Sequence, residues 1–139
     1  MAAARRGRGM NLHLLWATLV GGLLGGLADW LFAGVLFHHR YLRYPEVWRA
    51  GNERPRIIAA QALSFVTAGA FAALAWKLHQ TDMRGALKLA AMVWLIGPLP
   101  LLVGNAMFIK IDHLVTASHA AGWLAKLLLI AAATAWLIA

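Results

Sequence analysis

The chain has 139 residues, of which 62% are apolar and only 13% charged, and its mean hydropathy is +0.68. Soluble domains are about half apolar and a quarter charged, and 15.1 kDa encloses too little interior to hide this much apolar surface. The +8 formal charge sits in short runs between long apolar stretches, which excludes a nucleic-acid-binding face, and the absence of cysteine excludes disulfides, thiolate metal sites and iron–sulfur clusters.

The composition and its patterning predict an all-α polytopic membrane protein, a four-transmembrane-helix bundle forming one membrane domain over residues 1–139. A basic tail, residues 1–10, precedes the first span, Leu12–Phe37. Crossing a bilayer core takes about 20 apolar residues of helix, and Ile57–Leu78, Ala86–Ile109 and Leu114–Ile138 also meet that length. The first apolar run is too long for a cleaved signal peptide, and no A-x-A site follows it. Pro55 suits the first turn of the second helix, where a missing N–H costs nothing. Thr81 or Asp82 is placed to cap the third helix and Asp112 the fourth. Short second and third connections predict that spans two, three and four pack as antiparallel neighbours in sequence order.

The first span carries Gly21, Gly22, Gly25 and Gly26, two overlapping small-xxx-small patterns that allow close helix approach. Continuing that face by threes and fours reaches Asp29, which is then aimed at a helix interface, either as a structural acceptor or as a proton or cation site. The loop of residues 38–56 interleaves Tyr41, Tyr44 and Trp48 with Arg40, Arg43, Arg49, Arg54 and Arg56. Such a pattern reads as a belt of interface anchors, with one interfacial helical turn over Pro45–Ala50. A specific anionic-lipid site is the alternative.

Loop charge leaves the orientation undecided. Arg5, Arg6, Arg8, Lys77, Arg84 and Lys88 fall on one side, and Arg40, Arg43, Arg49, Arg54, Arg56 and Lys110 on the other, an even balance. Met10-Asn11 looks like a start in its own right; a chain beginning there would place the residue 38–56 loop inside the cell.

The third span is interrupted by Gly97-Pro98-Leu99-Pro100, either a broken helix lining a cavity or a kink healed by its neighbours. In the fourth span Asp112, Thr116, His119, Trp123 and Lys126 recur at spacings of four and three and share a face. Counting about 1.5 Å per residue puts Asp29 about 12 Å and Lys126 about 18 Å below the His38 side. An extended lysine bridges that offset, so the two are expected to pair, structurally or as a titrating couple. Gln61, Ser64, Asn105 and His119 fall in the same leaflet as Asp29, while the other, outside Lys126, is almost wholly apolar apart from a few Thr and Trp residues. A polar vestibule open on one side above a dry plug is the expected arrangement, with Asp29, Gln61, Asn105, His119 and Lys126 as its candidate site.

The six histidines do not share the three- and four-residue spacing of a metal centre, so no metal, heme or other cofactor is expected. Neither G-x-S-x-G, H-E-x-x-H nor a phosphate-cradling loop occurs, and an enzyme is not expected.

The order of features resembles the small four-helix bacterial membrane proteins of domain-of-unknown-function family 1761. The resemblance rests on Met10-Asn11, a glycine-rich first span ending in Asp29-Trp30-Leu31-Phe32, Asn105-x-x-Phe108, and Ser118-His119-x-x-Gly122-Trp123. It covers about residues 10–138. Where the family has Trp-Tyr before a proline, this chain has Asp29-Trp30 and none. The resemblance implies a four-helix fold in a bacterial inner membrane and brings no established activity. Two function classes follow from the residues. One is an oligomeric permease or channel-like protein for a proton, cation or small solute, its site formed in a homo-oligomer across the Gly21–Gly26 face. The other is a non-catalytic accessory or assembly subunit of a larger membrane complex. The lipid bilayer is the expected partner of either, and nucleic acid of neither.

Overall fold

A computed structural model describes residues 2–43 and 49–138, the side chains of residues 2–10 excepted. Its elements are α1 (Ala2–Asp29) running into a π-helical segment (Trp30–Leu36), then α2 (His38–Tyr41), α3 (Arg54–Lys77), α4 (Met83–Ile96), α5 (Pro98–Phe108) and α6 (His113–Ile138). No strand occurs among the described residues. Four stretches are long and apolar enough to span a bilayer: Asn11–Leu36, Arg54–Lys77, Met83–Phe108 and His113–Ile138. Their outward surfaces carry large apolar side chains, with Ile96 at 76% and Phe108 at 89% exposure. Such surfaces are stable against acyl chains and not against water.

The helix ends follow from local chemistry. Pro55 occupies the first turn of α3. Asp82 caps α4, its Oδ2 accepting from Gly85 N at 3.0 Å, and Asp112 Oδ1 accepts from Leu114 N at 2.7 Å at the start of α6. The C-terminus of α3 closes with His79 at φ 55°, Gln80 N donating to Ala75 O and His79 N to Trp76 O. This is the paired closure that a left-handed residue just past a helix permits.

Packing departs from sequence order. The first span lies at the centre of one side, with α3 and α6 both packed along it, and α4 packs on α6. The expectation that spans two and three are neighbours fails: α3 and α4 share a short turn but scarcely touch along their lengths. The small residues of α6, among them Ala131 and Ala135, draw α4 onto α6 instead, where Ala86 and Ala90 are fully buried. Trp94 Nε1 adds a bond to Ala120 O at 2.8 Å. Ala68, Phe71, Ala75, Leu127 and Ile130 complete this dry core. Near its end, His13 Nδ1 lies 2.7 Å from Leu137 O and ties α1 to the last turn of α6.

The Gly21–Gly26 face is filled from within the same chain. A Cβ at Gly21 would lie 3.3 Å from Ala68 and one at Gly25 3.2 Å from Lys126 Cγ, while at Gly22 and Gly26 it would run into the Phe65 ring and the Gln61 amide. The expected dimer contact across this face is therefore corrected: the glycines seat α3 and α6 of one protomer, so they are not open to a second copy. The Gly97–Pro100 interruption resolves as a joint between α4 and α5. Gly97 N still reaches Val93 O at 3.1 Å and Leu101 N reaches Gly97 O at 3.2 Å, so the bend keeps its flanking bonds.

Candidate functional site

The polar residues of the first and fourth spans meet. Lys126 Nζ lies 2.6 Å from Asp29 Oδ2, and the same oxygen accepts from Ser64 Oγ at 3.1 Å. Lys126 also stands 4.7 Å from the Trp123 ring centroid, in cation–π range. Gly25 makes the pairing possible, since its missing side chain leaves room for the lysine stem. The two charges are not equally enclosed: the lysine side chain is 4% exposed and the aspartate 36%. Asp29 Oδ1 has no hydrogen-bond partner among the described residues.

A second polar pair sits nearer the loop. Tyr41 Oη and His119 Nε2 are 3.0 Å apart, with the rings edge to face at 5.6 Å and 78°. Burial pushes the Tyr41 phenol above its ordinary pKa, so it keeps its proton, and the neighbouring Ser118 hydroxyl tempers that shift. Ser118 Oγ is itself buried and has no partner in hydrogen-bonding geometry among the described residues.

Both pairs open onto one cleft of about 440 Å³ between α3 and α6, backed by the π-helical segment. Asp29, Lys126, His119, Tyr41, Phe32 and Trp123 belong to its lining. The π segment begins directly after Asp29, and its wide turn is closed by Phe37 N bonding Phe32 O at 3.1 Å. Segments of this kind are rare and cluster at functional sites. Gly122 lets α6 approach it, because a Cβ there would already lie 3.3 Å from Phe32.

Not every expected member joins. Asn105 lies on the exposed side of α5, outside the cleft lining, and is removed from the site. Its place along the third span fixed its depth in the polar leaflet and not the direction in which it points. Gln61 packs against Gly26 behind the cleft, outside its lining. No α5 residue lines the cleft, so the Gly97–Pro100 joint does not shape the polar cavity. Of the α6 stripe, His119, Trp123 and Lys126 face the cleft, whereas Asp112 serves as the cap. Tyr41, expected as an interface anchor, is corrected to a buried residue, 9% exposed. Tyr44, Trp48 and most of the expected interfacial turn lie outside the described residues. Arg56 turns back on its own loop, donating to the carbonyls of Arg49 at 2.8 Å and Ala50 at 2.9 Å. No group of three His, Asp or Glu side chains able to hold a metal ion occurs among the described residues.

Sequence reasoning missed Tyr41 and Ser118 as site members, along with the π segment. Tyr41 and His119 are 78 positions apart, and neither helical period links a loop residue to a span. Together the apolar exterior, the four spans and the enclosed charge pair define a small multi-pass integral membrane protein. The chain matches no family model, no curated protein and no solved structure.

Proposed function

We propose that the protein is a small permease for a proton, cation or small solute, with the Asp29–Lys126 cleft as its binding site. One observation carries the reading: a carboxylate at membrane depth, paired on one oxygen, has no partner on the other among the described residues and faces a cleft. A purely structural ion pair gains most when every lone pair is satisfied and water is excluded, and Asp29 is neither. Ionisable groups so placed mark solute or proton paths by default. The Tyr41–His119 pair at the outer end of the cleft adds a second hydrogen-bonded polar contact to its lining. A glycine face open to a second chain would have served a homo-oligomeric permease and an accessory subunit alike, and α3 and α6 fill that face, so the proposed site lies within one protomer.

Reconstitution into liposomes loaded with a pH-sensitive dye tests the proposal. Under an imposed potential, the protein is expected to carry proton or cation flux above that of empty liposomes. A double variant, Asp29→Asn with Lys126→Met, removes both charges together and abolishes that flux. Flux equal to empty liposomes across protons, alkali cations and small neutral solutes would leave the permease reading without support.

A further inference from the structure

The cleft is open sideways. Because α3 and α4 do not pack along their lengths, the slot between α3 and α6 has no fourth wall. Leu63 and Val66 line it and are also 62% and 65% exposed, so they form a rim continuous with the outer surface of α3. That surface belongs to a stretch long and apolar enough to span a bilayer, where acyl chains would cover it. A molecule already dissolved in the bilayer can therefore enter without first crossing the headgroup layer.

The chemistry at the bottom of the slot selects what fits. The lysine is buried, its ammonium over Trp123 and its stem against Gly25, and the exposed member of the pair is the carboxylate, with no partner on Oδ1 among the described residues. An entering head group therefore meets an anionic acceptor. Phe32 and Tyr41 offer ring faces and edges beside it, and the outer walls are aliphatic. We infer that the site takes a hydrophobic protonated amine, its N–H donating to Asp29 Oδ1 and its apolar body lying between Leu63 and Val66 at the lateral opening. Carboxylate amphiphiles of the same length are excluded, because their charge repels the exposed carboxylate and cannot reach the buried ammonium. The inference deepens the permease reading by naming a substrate class for the same site, and it rests on that reading for transport but not for binding.

The probe is dodecylamine, with dodecanoate as its length-matched anionic counterpart. Binding is measured by equilibrium dialysis on full-length protein in nanodiscs of zwitterionic lipid, with binding to empty nanodiscs subtracted. The amine is expected to bind above the empty-disc background, and an excess of dodecanoate should not displace it. Asp29→Asn with Lys126→Met loses the charge-assisted hydrogen bond without stranding a buried charge, and its affinity falls about tenfold or more. Val66→Trp leaves the pair intact and narrows only the rim, so reduced amine binding there, with the fold preserved, locates the body of the ligand. The proposal is overturned by amine binding no greater than in empty discs, by equal binding in the double variant, or by preference for dodecanoate. A slot occupied only by lipid chains gives the first of these results. Flux with no amine binding sinks this proposal alone, whereas amine binding without flux removes the permease reading and leaves the binding site.

Discussion

At the scale of single residues, the charge pair makes the sharpest demand. Lys126→Met leaves Asp29 with only Ser64 in a low-dielectric setting. Breaking a fully buried pair costs about 3–5 kcal/mol, and the partial exposure of Asp29 puts the expected loss at or below the bottom of that range. Adding Asp29→Asn should restore part of it, and thermal unfolding of the four-member cycle in detergent measures the coupling. Additive losses would mean that the two side chains do not stabilise one another. Tyr41→Phe keeps the edge-to-face packing on His119 and removes the hydrogen bonding of the phenol hydroxyl, so about 1 kcal/mol or somewhat more is expected to be lost. Tyr41→Ala should cost clearly more by the same melting measurement, and equal costs would show that the ring contributes nothing. The first pair was legible in the sequence because both partners lie on regular helices whose depth and face can be counted. The second was not, because Tyr41 reaches His119 from a separate short helix beyond the break at Phe37, which no span periodicity describes.

At the scale of helices, the existence and extent of the spans follow from apolar length, and the caps at Asp82 and Asp112 follow from side-chain chemistry. Which helix packs on which did not follow from short connections. It depends on where small residues lie: the glycine face of α1 admits α3 and α6, and the alanines of α4 and α6 admit each other. Two glycine substitutions separate packing from backbone propensity. Gly22→Ala drives a methyl into the Phe65 ring and should destabilise by about 1–3 kcal/mol, the usual cost of overpacking. Gly104→Ala meets nothing within 4 Å in the middle of α5, and should be neutral or stabilising by up to about 1 kcal/mol. Melting temperatures of the two variants check the contrast, and a similar loss at both would mean that the glycines act through backbone flexibility alone. The π segment had no mark in the sequence beyond Gly34, whose missing Cβ lets the Trp30 ring lie 3.2 Å from that position.

At the scale of the molecule, two halves differ. The end near the chain termini is a dry, alanine-rich core, and its threonines are bonded back to their own helices, Thr134 Oγ1 to Ile130 O at 2.8 Å and Thr18 Oγ1 to Leu14 O at 2.8 Å. Toward the His38 side lies the cleft with both polar pairs. The uneven distribution of polar residues foretold this asymmetry, but overstated its width by including Asn105. A permease site of this kind requires that water reach the cleft from that side alone. Because the chain has no cysteine, single cysteines at Ala33 and Thr67, both in the cleft lining, can be probed with a membrane-impermeant thiol reagent. Thiols react as thiolates and so only where water reaches them. Cysteines at Ala72 and Ala90, fully buried in the dry core, and at Leu101, on the lipid-facing surface, are the controls. Labelling of Ala33→Cys and Thr67→Cys from the face carrying Arg43, with all three controls silent from both faces, is the predicted result. Labelling at the two cleft positions no greater than at Leu101→Cys would contradict the account, because Asp29 would then face hydrocarbon with nothing to exchange.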